Sequence, residues 1–89
     1  MLIAVICTDK KDSLKVRMAN REAHLAYIGD TGVVTQAGPF LDADGQMCGS
    51  LVVLDVADMD AARAWAADDP YARAGLFSDV RIEAWKKVI

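Results

Sequence analysis

Apolar residues run unbroken through "LIAVIC", residues 2–7. A continuous apolar stretch of that length, rich in β-branched members, predicts a strand buried on both faces. The spacing then changes. In "KDSLKVRMANREAHLAYIGD", residues 11–30, Leu14, Met18, Leu25 and Ile28 fall on one helical stripe. Asp12 or Ser13 is placed to cap the start of that helix, and Gly29 or Gly32 to end it. "GVVTQAGPF", residues 32–40, reads as a second strand. Its Gly38-Pro39 step puts it at a sheet edge or a bulge, because proline cannot donate to a ladder. Beyond the Asp44-Gly45 turn, "CGSLVVLDVA" is a third, mostly apolar strand. Asp58 caps a second helix, "MDAARAWAAD", which Pro70 limits. "VRIEAWKKV" alternates, with Val80, Ile82 and Ala84 on one side and Arg81, Glu83, Trp85 and Lys87 on the other.

This order predicts an α+β fold, a ferredoxin-like β-α-β-β-α-β subunit formed by one domain over residues 1–89. Its antiparallel sheet carries both helices on one face, with the first and third strands in the centre. Those central strands do not alternate, so their far face needs a cover. In so short a chain the expected cover is a second copy, giving a homodimer of the dimeric α+β barrel kind.

Composition sharpens the picture in three places. Hydrophobic residues make up 54% of the chain, a surplus that fits a subunit interface. Ten basic against 13 acidic residues give a net charge of −3, which offers nothing to a nucleic-acid backbone. Cys7 and Cys48 lie in separate strand-like runs and suggest no disulfide framework. The apolar start is too short to span a membrane and lacks a basic leader, so the expected location is the cytoplasm. One histidine and two separated cysteines make a poor ligand set, so neither a metal nor another cofactor is expected.

Three polar residues sit awkwardly on the first helix. Arg21 falls inside the apolar stripe, and Arg17 and His24 flank it. Arg21 either reaches along the helix to water, makes a structural ion pair, or joins Arg17 in holding an anionic ligand. Arg21 is accordingly expected to be buried and paired. On the second helix Asp69 shares the inward side with Ala62 and Trp65, and it also precedes Pro70 as a helix cap would. Either role is open to it.

The segments "KDSLKVRMANREAHLAYI", "AGPF", "GSLVVLDV", "AWAADDPYARAGLF" and "WKKVI" follow one another in an order and spacing that resemble YciI-like proteins, over essentially the whole chain. The turn around residues 42–46 is shorter than in many such proteins. The resemblance implies a dimeric α+β barrel with a site centred on a histidine and an aspartate, which map onto His24 and Asp69. It also connects the chain with a superfamily that includes muconolactone isomerases and a chloromuconolactone dehalogenase.

Two functions follow as expectations. The first is a small-molecule enzyme. His24, oriented by Asp69, would move a proton on a small acidic or lactone-like metabolite. Arg21 and Arg17 would hold its negative charge, Ser50 would donate to a carbonyl oxygen, Gly38 would leave room beside the backbone, and Tyr71 would close the pocket. The second is a dimer that binds or senses a small anion without turning it over.

Overall fold

The computed structural model describes residues 1–89. The elements are β1 (Leu2–Asp9), α1 (Leu14–Thr31), β2 (Val34–Leu41), β3 (Met47–Asp55), α2 (Met59–Asp68), α3 (Pro70–Arg73) and β4 (Phe77–Ala84). The strands form one antiparallel sheet in the order β2-β3-β1-β4, the ferredoxin-like arrangement with β1 and β3 central. Pro39 lies in β2, an edge strand, where its missing N–H costs no ladder bond. The ladder between β2 and β3 shifts register near both ends of β2.

Strand periodicity sorts the sheet into two faces. Ile3, Val5 and Cys7 of β1 pair with Leu54, Val52 and Ser50 of β3. These apolar residues form the core with Ala62, Trp65 and Ala66 of α2, and Tyr27 and Ile28 of α1 pack against it. Both long helices therefore cover one face. On the other face Ile6 and Leu51 pair and stay half-buried, with exposed Phe40 beside them. Asp79, Arg81 and Glu83 of β4 flank that apolar centre. The apolar runs of the two central strands thus have one covered face and one partly open face within a single chain: there Ala4 and Val53 are buried, while Ile6 and Leu51 are only half-buried. Gly49 answers to the interstrand packing: a Cβ there would collide with the Cys7 carbonyl oxygen.

Local chemistry sets the ends of the elements. Asp58 accepts a hydrogen bond from the Ala61 N–H at 2.8 Å and caps α2. Gly32, with φ of 67°, ends α1 in the left-handed conformation. Ser13 occupies the α1 cap position, yet its hydroxyl turns back to the Lys11 carbonyl and caps nothing. β4 begins at Phe77 and stops at Ala84, so Trp85 and Lys87 lie outside the strand. The reason is that β1 begins at Leu2, whose carbonyl accepts from the Trp85 N–H and leaves no further ladder to extend.

The face that α1 buries differs from the predicted stripe. Met18 and Leu25 are about half exposed, at 54% and 48%, whereas Arg17 and His24 are buried. Arg21 is exposed and makes no ion pair or hydrogen bond within the chain, contrary to expectation. On a helical wheel Arg17 and His24 point to the same side, roughly 80–100° from the centre of the Leu14–Met18–Leu25 stripe. The polar pair turns inward because each member finds a fixed acceptor beneath the helix.

Candidate active site

Asp69 ends one helical segment and begins the next. It follows α2 and precedes Pro70, and its carboxylate accepts the Tyr71 N–H at 3.0 Å as the cap of α3. The same oxygen, Oδ1, lies 2.7 Å from His24 Nδ1. An ionised carboxylate can only accept, so beside it a neutral imidazole carries its proton on Nδ1 and has a free lone pair on Nε2. Asp69 therefore fills both positions open to it in the sequence. Both side chains are at least nine-tenths buried.

Two turns before His24 on α1, Arg17 makes a forked pair with Asp9 at the end of β1. Nε donates to Oδ2 at 2.7 Å and Nη2 donates to Oδ1 at 2.9 Å. Nη2 also donates to Ser50 Oγ at 2.9 Å. Burial alone would lower the Arg17 pKa, but hydrogen bonding and attraction to Asp9 outweigh it and hold the guanidinium above its ordinary value. Asp9 was not anticipated as part of the site. The available sign was an acidic residue closing an otherwise apolar strand, eight positions before Arg17.

Tyr71 joins the two polar groups. His24 stacks on its ring, with centroids 3.9 Å apart and planes 14° off parallel. The Arg17 guanidinium carbon lies 4.6 Å from the Tyr71 centroid. The imidazole already covers one face of the ring, so the guanidinium takes the other. Phe77 meets the ring edge-on at 6.1 Å. Burial raises the Tyr71 phenol above its ordinary value, against the pull of the Arg17 and Arg21 cations.

These groups border a cleft of about 140 Å³ between α1, β2 and β3. Arg17, Arg21, His24, Ser50, Tyr71 and Gly38 all line it, so every expected site residue but Asp69 is on the wall. Asp69 stands behind His24. Leu25, Ile28, Ala37, Pro39, Met47 and Val52 supply the apolar lining. Arg21 contributes an unpaired cation at the edge, and a side chain at Gly38 would enter open space rather than collide with the fold.

Below the site Cys7 is buried and free, and Cys48 is half-buried and free. Burial, followed by the nearby Asp69 carboxylate, pushes the Cys7 thiol up to about 12. Burial, reinforced by Asp68 and Asp69, also raises the Tyr27 phenol. All three shifts favour the neutral form in the folded state. The unfolded chain ionises these groups at their ordinary values of 9.0 and 10.0, so it loses protons first as pH rises. Stability is accordingly expected to hold below pH 9 and to fall as pH climbs from there toward 12. Urea midpoints at pH of about 8 and about 11 measure the fall, which Cys7→Ala reduces.

The chain is thus a ferredoxin-like fold with a buried His–carboxylate pair beside a small cleft. The chain belongs to the YCII-related domain family, whose model matches residues 1–86. It is similar to Protein YciI of Escherichia coli O6:H1, with 37% identity over 97 aligned positions and 99% of each chain covered. A protein of Haemophilus influenzae is 34% identical, again over 99% of each chain. Among solved structures it is similar to 5-chloro-2-hydroxyhydroquinone dehydrochlorinase (TftG) of Burkholderia phenoliruptrix AC1100, solved in complex with 2,5-dihydroxybenzoquinone. The TM-score is 0.90 at 34% identity, with 97% of this chain and 94% of that chain covered. No helix of the fold is long and apolar enough to cross a membrane.

Proposed function

We propose that this protein is a small-molecule enzyme in which His24, held by Asp69, takes and returns a proton on a small acidic or lactone-like ligand. The observation that carries the reading is the buried His24–Asp69 pair, with Nε2 free, beside a cleft that holds one small molecule. A cavity of about 150 Å³ accommodates a benzene ring, so the cleft suits one ring rather than two. The unpaired Arg21 favours an anion. Dehydrochlorination, the activity named for TftG, removes a proton and a chloride from one substrate, and a positioned base serves the first half.

The working form in this reading is a homodimer joined through the open sheet face. Ile6, Leu51 and Phe40 give that face an apolar centre, and Asp79, Arg81 and Glu83 give it a polar border, as at a subunit contact. Light scattering at micromolar concentration tests it, and a monodisperse monomer would overturn it.

The test of the activity is a panel of chlorinated hydroxyquinols and small hydroxy-lactones. Chloride release is followed for the first group and isomerisation for the second. Turnover above the uncatalysed rate supports the enzyme. Saturable binding of panel members with no turnover of any of them favours the binding and sensing dimer instead.

A further inference from the structure

We propose that Tyr71 is the positioning residue of the His24–Asp69 pair: its ring sets the plane of the imidazole, and its N–H sets the carboxylate oxygen that the imidazole meets. This deepens the acid–base reading and rests on it for any effect on turnover. A histidine side chain turns about two bonds, and the second has broad wells. The hydrogen bond between Nδ1 and Asp69 Oδ1 selects which edge of the imidazole faces the carboxylate. It holds the tilt of the ring only loosely, because a hydrogen bond tolerates about 30° of misalignment. Nε2, the atom that meets a ligand, lies across the ring from that bond and swings with the tilt.

Tyr71 removes this freedom. Its ring lies 3.9 Å from the imidazole and 14° from parallel with it. The ring is itself fixed, with only 1% of the residue exposed. The Arg17 guanidinium covers its second face, and Phe77 meets it edge-on. Its carbonyl accepts the Leu76 N–H at 3.1 Å, which holds the backbone of α3 in place. The same residue controls the acceptor. The Tyr71 N–H donates to Asp69 Oδ1, the oxygen that His24 meets. One residue thus holds both members of the pair, the imidazole by a flat surface and the carboxylate by an amide.

The two holds are separable, because one belongs to the side chain and the other to the backbone. Tyr71→Leu keeps the amide, so Asp69 still caps α3, and the Arg17 fork with Asp9 also stays. What the variant removes is the flat surface. Nε2 then covers a wider arc, and a reacting atom misplaced by about 1 Å costs about 10²-fold in rate. In Tyr71→Leu, kcat on whichever panel substrate the wild type accepts falls by about ten- to a hundredfold, with less change in KM.

The test reads the imidazole itself, the only one in the chain. Proton NMR of the wild type in mildly alkaline buffer is expected to show two features. The carbon-bound imidazole protons lie upfield of those of free histidine, because they sit over an aromatic face, and the Nδ1 proton exchanges slowly with water. In Tyr71→Leu the carbon protons move back downfield, and the Nδ1 proton exchanges about two- to tenfold faster, the range for loss of an aromatic pair. Tyr71→Phe keeps the flat face and so keeps the slow exchange. Tyr71→Met, unbranched and of similar reach, takes the place of the leucine variant if that one does not fold. Carbon protons at free-histidine positions in the wild type overturn the proposal. So does an Nδ1 exchange rate unchanged in the folded leucine or methionine variant, or a phenylalanine variant that exchanges as fast as they do. Turnover plays no part in these spectra. A protein inactive on every substrate but with a ring-dependent Nδ1 proton loses the enzymatic reading and keeps the hold of Tyr71 on the pair. Turnover with kcat unchanged in the folded leucine variant keeps the enzyme and overturns the positioning role.

Discussion

Arg17→Ala lowers the stability of the fold by about 3–5 kcal/mol, the range for removing one partner of a buried ion pair. The size of the loss comes from what remains. The Asp9 carboxylate, 5% exposed at its side chain, loses both donors. Ser50 Oγ loses the hydrogen it accepts, and one face of the Tyr71 ring loses the guanidinium. Domains of this kind are stable by only about 5–15 kcal/mol in all, so the variant approaches the unfolding threshold. Its melting temperature falls by about 15–30 °C, since each kcal/mol corresponds to several degrees in a chain of this length. Arg17→Lys recovers little, because an ammonium cannot make the fork. The double variant Arg17→Met with Asp9→Asn removes both charges and recovers much of the loss. Urea titration of the four proteins decides the matter. A loss under about 1 kcal/mol for Arg17→Ala would place the pair with exposed ion pairs and end this account.

In the acid–base reading, His24→Gln lowers turnover of whichever panel substrate the wild type accepts by about 10²–10⁴-fold, the usual contribution of a positioned acid–base group. The fold survives this change. Asp69 still accepts the Tyr71 N–H, and Arg17 still covers its side of the Tyr71 ring. The loss falls on kcat more than on KM, because the imidazole acts on the proton in flight rather than on ground-state binding. Asp69→Asn also slows turnover. It keeps an oxygen for Nδ1–H and for the cap of α3, but removes the negative charge that faces the imidazolium once the proton has moved. Steady-state kinetics beside circular dichroism test both. Retention of full kcat in His24→Gln would remove the histidine from the chemistry.

The order of elements was legible in the sequence because each depends on a local signal. Unbroken apolar runs mark β1 and β3, Asp58 marks the start of α2, and Gly38-Pro39 marks an edge strand. Asp69-Pro70 marks a helix start, whereas the pairing of that carboxylate with His24 was expected only from the resemblance to YciI-like proteins. The buried face of α1 was not legible. Apolar spacing points to Met18 and Leu25, while the helix turns Arg17 and His24 inward. What reverses the pattern is remote: Asp9 lies across a loop from Arg17, and Asp69 lies 45 positions beyond His24. A polar residue is favourable in a core only when its partner is already in place. Such a partner leaves no trace in the periodicity of the helix that needs it. For the same reason Arg21, the arginine inside the apolar stripe, points to solvent, and Asp9 escaped notice altogether.

The distance between His24 and Asp69 along the chain has a further consequence for a protein made from its N-terminus onward. By the time β3 leaves the ribosome, Asp9, Arg17, His24 and Ser50 have all been synthesised, and none of them has met Asp69. The carboxylate arrives between α2 and α3, and the turn after α3 is tied to β1 when the Leu76 carbonyl accepts from the Lys10 N–H. The histidine thus gains its partner only once the 45 positions that follow it have been made, and until then an emerging chain carries an unpaired imidazole.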